Sequence, residues 1–180
     1  GIDSKGIKDV LGIWIETTET ASKWCEIFEE LKSRGVEDIF FISMDGLAGL
    51  TEAIEKVYPQ AILQRCIVHI VRNIYSILPK KDVKEVIGDF KKIYTASNLS
   101  HAMLEYEAFK KKYKDNKKLM KKVEDNISWV MQIFEYPPMI RKLIYTTNAI
   151  ESLNAGLRKV TKGKGSFINE TALMKVLYLR

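Results

Sequence analysis

An α/β fold is predicted for this chain on three observations. Two short apolar runs, DIFFISM from Asp38 to Met44 and the segment Ala61 to Ile67, have the length and β-branched content of buried strands. Amphipathic helical patterns precede and separate them, at Thr20 to Ser33 and Leu50 to Tyr58. A third feature is the long stretch after Ile67, which is helical almost throughout. Strands alternating with helices imply a mixed sheet with parallel members, flanked by helices. The helical stretch is then a subdomain hung on the sheet.

Each element follows from local chemistry. The opening GIDSKGIKDVLGIWIE has a turn signal at Ser4 to Gly6 and an aliphatic and aromatic run at Asp9 to Ile15, which predicts a hairpin leading into a strand. Trp24, Ile27, Phe28 and Leu31 recur at helical spacing, and Arg34-Gly35 supplies a cation and a glycine to end that helix. The strand over Asp38 to Met44 stops at Asp45-Gly46, and the helix over Leu50 to Tyr58 stops before Pro59. Helical periodicity covers His69 to Leu78 and Val83 to Ile144, with breaks at Pro79 and Pro137-Pro138. A helix at Ala149 to Val160, a Gly/Lys loop at Thr161 to Phe167 and a last helix from about Asn169 complete the chain. The predicted layout is a sheet region at 1–78, a helical insertion at 79–145 and closing helices at 146–180.

Composition narrows the function classes. With 180 residues of which 46% are hydrophobic, the chain can bury a core. Its net charge of +6 and pI of about 9.2 favour an anionic partner such as nucleic acid. Apolar runs such as Ile39 to Met44 fall far short of the roughly 20 residues of a membrane helix. No basic-then-apolar signal segment opens the sequence, so the expected location is cytoplasmic. Cys25 and Cys66 have no second pair with which to build a disulfide framework or a four-ligand zinc site, and both are expected as reduced thiols.

Two acids stand out. Asp45 ends a predicted strand at the carboxyl edge of a parallel sheet, where α/β folds place ligands, although Asp-Gly is also ordinary turn chemistry. Glu151 lies in TTNAIESLNAGLRK, where Asn148 and Glu151 have capping-box spacing. Glu151, Asn154 and Arg158 also share one polar stripe, as a cleft-facing helix would have. On the residues alone, cap and ligand both stand. Cys66 and His69 form a lone CxxH without partner spacing for zinc, which reads as a buried thiol and a hydrogen-bonded core histidine. The lysines from Lys110 to Lys122 read as a solvated helix face that could also track phosphates. Arg158, Lys159, Lys162 and Lys164 cluster with glycines and are the stronger DNA-binding candidates. Trp129, on the apolar segment Ile127 to Phe134, reads as core, with base stacking as the alternative.

The blocks SMDGLAGLTEAI, QRCIVHIVRN and TTNAIESLNAGLRKVTKGKGSF resemble the Mutator-type transposases of bacterial insertion sequences, and the likeness runs over essentially the whole chain. The resemblance implies an RNase H-like domain in which two aspartates and a glutamate hold divalent metal, with a long helical insertion before the glutamate. It makes Asp45 the second aspartate and Glu151 the glutamate, both as metal ligands, and tips Glu151 from cap to ligand. Two metals about 3.5 to 4 Å apart would serve strand cleavage and strand transfer. Magnesium suits an all-oxygen ligand set, and manganese should substitute. The family's first aspartate lies on a first strand that would precede Gly1, so the isolated chain is expected to be an inactive fragment. Asp3 and Asp9 are read as turn acids rather than replacements. Relatives carry a Cys/Asp-x-x-His signature near the active site, which implies supporting roles for Cys66 and His69 beside Asn148 and Asn154. A stacking role for Trp129 has the same source. Expected partners are DNA, as terminal inverted repeats and target, and further copies of the chain. The alternatives are a catalytically inactive nucleic-acid-binding fragment and another RNase H-like nuclease.

Overall fold

The computed structural model describes residues 1–3, 5–15, 18, 20–46, 49–145, 155–159, 161–162 and 167–178. They fall into two units, one of Gly1–Ile39, Ala48–Gln60 and Thr147–Arg180, the other of Phe40–Leu47 and Ala61–Thr146.

In the first unit, helix α1 spans Ala21–Ser33 and begins where Thr20, in extended conformation, accepts a hydrogen bond from the Lys23 amide. Its buried stripe is Ile27, Phe28 and Leu31, as the helical spacing predicts. Helix α2, Leu50–Val57, buries Leu50, Ala53, Ile54 and Val57. Gly49 precedes it at φ +84°, and a β-carbon there would lie 2.8 Å from the Ala21 amide nitrogen, so only glycine lets the two helix starts approach so closely. Tyr58 fastens the pair: its hydroxyl donates to the Val36 carbonyl at 2.7 Å, and its ring meets Phe28 edge-on at 5.9 Å. The same unit holds helical residues 155–159 and a last helix, Glu170–Tyr178, whose first turn is capped by Asn169 accepting from the Ala172 amide at 2.8 Å.

The N-terminal turn forms as expected. Asp3 Oδ1 accepts from the Lys5 and Ile7 amides at 2.9 and 2.8 Å, Ile2 and Lys8 form an antiparallel bridge, and Asp9 Oδ1 accepts from Val10. Both acids are turn formers. The strand predicted over Asp9 to Ile15 is a correction: those residues carry no ladder among the described residues. An apolar run becomes a strand only when a neighbour takes its N–H and C=O groups, and here Trp14 instead donates its indole N–H to Glu30 at 2.8 Å.

The second unit contains a two-stranded parallel sheet of β1 (Phe41–Met44) and β2 (Ile62–Arg65), with Phe41 opposite Ile62 and Met44 opposite Arg65. Neither strand is buried on both faces as its apolar run predicts, since Ser43 and Ile62 are exposed. Gln64 is fully buried because it closes the edge of β2. Its Nε2 donates to the Arg65 and Trp129 carbonyls at 3.0 and 2.7 Å, while Gln132 Nε2 donates to the Leu63 carbonyl at 3.0 Å. Helices α3 (Ile67–Tyr75), α4 (Val83–Tyr94), α5 (Leu99–Tyr113), α6 (Lys117–Gln132) and α7 (Pro138–Tyr145) follow, with a 3-10 turn at Ile133–Glu135. The helical stretch from Val83 therefore has two further breaks, at 95–98 and 114–116, each ended by an asparagine cap: Asn98 accepts from the His101 amide and Asn116 from that of Leu119. The core joins Ile67, Ile70 and Ile74 of α3 to Val86, Phe90 and Ile93 of α4, Phe109 of α5 and Leu119, Val123 and Val130 of α6.

A polar clamp joins α4 to α5. Asp89 of α4, with a side chain 19% exposed, accepts from Lys92, Lys112 and the Tyr113 hydroxyl at 2.8, 2.7 and 2.9 Å, and Lys112 also reaches Glu85. Burial alone would raise the Asp89 carboxyl, but the donors from Lys112, Lys92 and Tyr113 outweigh it and hold the group at about 2. A depressed carboxylate stabilises the fold above its ordinary value near 3.8 and loses that contribution as pH falls toward 2. Asp89→Asn should therefore cost about 1 to 2 kcal/mol at neutral pH, allowing for solvent screening of the lysines. In urea titrations the gap between variant and wild type should close as pH drops from about 5 to 2.

Candidate metal and nucleic-acid site

Asp45 stands at the carboxyl end of β1 with an exposed side chain. Gly46 follows at φ +87°, a left-handed backbone conformation that glycine adopts without steric cost. The parallel register brings the end of β2 to the same edge, where the Cys66 amide donates to the Met44 carbonyl. Asp45 and the Cys66-to-His69 segment therefore sit at the same end of the strand pair. This is the position the strand pattern predicts for a ligand-bearing acid.

The other expected site residues divide as follows. Cys66 is a buried free thiol, as predicted, and Cys25 is half-buried and free. His69 corrects its core reading: it lies in the first turn of α3 with an exposed ring, because the buried stripe of that helix is Ile67, Ile70 and Ile74. Trp129 is half-buried against the core of the second unit. Arg158, Lys159 and Lys162 are exposed, with the Lys162 amide continuing the helical turn to the Arg158 carbonyl. Asn148, Glu151, Asn154 and Lys164 lie outside the described residues. Among the described residues no three His, Cys, Asp or Glu side chains converge as a metal cluster. In the lysine run, Lys110 pairs with Glu107 at 2.6 Å and Lys112 with Glu85 and Asp89, so these two act as structural cations. Lys111, Lys114, Lys117, Lys118 and Lys121 are exposed.

One group beside Asp45 escaped the sequence reading. Arg65, at the end of β2, donates from Nη1 to Asn126 Oδ1 at 2.9 Å, and Asn126 in turn donates to the Lys122 carbonyl at 2.9 Å. The guanidinium lies over Gly46, where a β-carbon would stand 2.8 Å from Nε and Nη2. Gly46 thus answers two demands, a positive φ and a cation packed on its α-carbon. Asn126, at a position of the apolar stripe of α6 with Leu119, Val123 and Val130, is the sequence signal for one partner of the pair, a polar group needing an internal match.

No helix among the described residues is long and apolar enough to cross a membrane. The sequence profile of the family described as "Transposase, Mutator family" matches residues 1–180. The "Probable transposase for insertion sequence element" of Corynebacterium diphtheriae is 39% identical over 99% of this chain and 53% of its own length. The "Probable transposase for insertion sequence element ISRM3-like" of Sinorhizobium fredii is 41% identical over 97% of this chain and 44% of its own. The "Transposase for insertion sequence element ISRM3" of Rhizobium meliloti is 40% identical over the same shares. The chain spans about half the length of these curated relatives. With a match over every residue and relatives near 40% identity, the chain belongs to the Mutator family of transposases.

Proposed function

We propose that residues 1–180 form the catalytic region of an RNase H-like DNA transposase that cleaves DNA at insertion-sequence ends and joins the freed strand to a target. The observation that carries this reading is the position of Asp45, an exposed acid closing a parallel strand at the sheet's carboxyl edge in a chain of this family. Residues 79–145 are then the helical insertion and 146–180 the closing helices that bring Glu151.

The donor chemistry at this edge fits a hard divalent cation. Asp45 offers carboxylate oxygens to solvent, whereas the nearby Cys66 thiol is buried. Asp45 and Glu151 would hold magnesium, or manganese in its place. Bound there, the metal would activate the attacking oxygen and stabilise the leaving one. The chain's own residues do the rest. In this reading Asn148 and Asn154 would orient Glu151, the exposed His69 would stand beside the edge, and Arg158, Lys159, Lys162 and Lys164 would neutralise phosphates of the DNA. Trp129 is the candidate for stacking on an unpaired base. Paired element ends call for at least two copies acting together.

The test is a labelled duplex ending in an insertion-sequence terminus, incubated with a transposase carrying residues 1–180. Nicking should require magnesium, stop on chelation and return with manganese. Cleavage that survives chelation would remove the metal assignment. Metal-independent binding without cleavage, unchanged when Asp45 and Glu151 are both alanine, would leave a non-catalytic DNA-binding module.

A further inference from the structure

Arg65 is built differently from the other described arginines whose contacts are known. Arg141 is 8% exposed and spends its guanidinium on the Ala96 and Ser97 carbonyls at 3.1 and 3.0 Å, with Phe134 beneath it. Arg34 pairs with Glu30 on the surface of α1. Each has its role accounted for within the fold. Arg65 is half-buried, gives one N–H to a neutral amide, and has no carboxylate within ion-pair distance among the described residues. A guanidinium carries five N–H donors, so most of its donor capacity and its whole charge remain open at the edge that carries Asp45.

The fold also fixes its orientation. Asn126 is 8% exposed and uses both ends of its amide, Oδ1 for Arg65 and Nδ2 for the Lys122 carbonyl, so it cannot turn away without leaving a buried polar group unmatched. Gly46 supplies a flat seat for the guanidinium plane. A planar cation clamped on two sides and unneutralised is preorganised for a planar or tetrahedral oxyanion, and a bidentate pair with a phosphate is its natural complement. We infer that Arg65, held by Asn126 and seated on Gly46, contacts a phosphate of the DNA next to Asp45. This rests on the DNA reading above and deepens it, by assigning a DNA contact within the second unit.

Two measurements on the 180-residue chain decide it. In the first, a fluorescein-labelled 20-bp duplex is titrated by anisotropy across a salt series without divalent metal, using wild type, Arg65→Gln and Arg65→Lys. Arg65→Gln should weaken binding at least about fivefold at low salt and flatten the salt slope by about one. Arg65→Lys should restore the slope but only part of the affinity, because an ammonium keeps the charge and loses the fork. In the second, the wild-type chain is treated with the arginine-selective reagent phenylglyoxal with and without the duplex, and modification is read by mass spectrometry, so no variant has to fold. Arg65 should be reactive alone and protected by DNA. An Arg65 that is unreactive alone, or equally reactive with bound duplex, would overturn the inference, as would equal affinity and slope for wild type and Arg65→Gln. A wild-type chain that binds no duplex at all would instead bring down the DNA reading, and the inference with it.

Discussion

Glu151→Gln is expected to abolish strand cleavage, by at least about a thousandfold, while leaving the fold intact. That factor corresponds to about 4 kcal/mol of lost transition-state stabilisation, within reach of a single missing metal ligand. The substitution is chosen because it separates the two readings of one residue. Glutamine keeps the shape and one carbonyl oxygen but loses the negative charge that holds a divalent cation. A capping box accepts glutamate or glutamine at its third position, so a glutamate serving only as the cap partner of Asn148 would tolerate the change. The measurement is cleavage of an insertion-sequence end by a transposase carrying the variant, beside its circular dichroism and thermal midpoint. Full activity in a folded variant would make Glu151 a cap. Loss of activity with an unchanged midpoint would make it a ligand.

The second large effect is on stability. Phe90→Ala should cost about 3 to 5 kcal/mol, because Phe90 is fully buried at the junction of α4 and α5. Its ring meets Phe109 at 6.0 Å and Tyr94 at 5.9 Å, both edge-on, so truncation removes two aromatic pairs as well as buried area. The cavity would be lined by large, well-packed side chains and could close only in part. Urea denaturation of the second unit, followed by tyrosine fluorescence, should show the midpoint falling without a large change in slope. A cost below about 1 kcal/mol would mean that the α4–α5 junction repacks freely.

The helices were the most legible part of the sequence, because their signals are local. Thr20 caps α1, and Ile27, Phe28 and Leu31 fall on its buried stripe as their spacing requires. Asn98 and Asn116 carried equally local cap signals, but unbroken periodicity on either side hid them. Strands were less legible because pairing is not local. DIFFISM and VLGIWI look alike as apolar runs, yet only the first is paired among the described residues. The place of Asp45 at a strand end was legible because Asp-Gly closes an apolar run, and the burial of Cys66 because thiols favour the interior. His69 could not be placed from type alone, since its exposure depends on which face of α3 meets the core. The Arg65–Asn126 pair spans 61 residues of sequence, and no window short enough to reveal a period contains both partners.

The amides of Gln64 and Gln132 give the small sheet a direction. Along β2, Leu63 and Arg65 turn their carbonyls away from β1, and both of those carbonyls are already taken by glutamine side chains from within the unit. An incoming strand would meet two bonded amides, one of them on a fully buried side chain, at the two carbonyls its ladder would use on that side. The plugged border makes the strand pair a one-way template. Recruitment of any further strand is steered to the β1 side, the side that shares its end with Asp45, so the same two glutamines that protect the sheet from stray pairing also decide on which flank of the acid a neighbouring strand can settle.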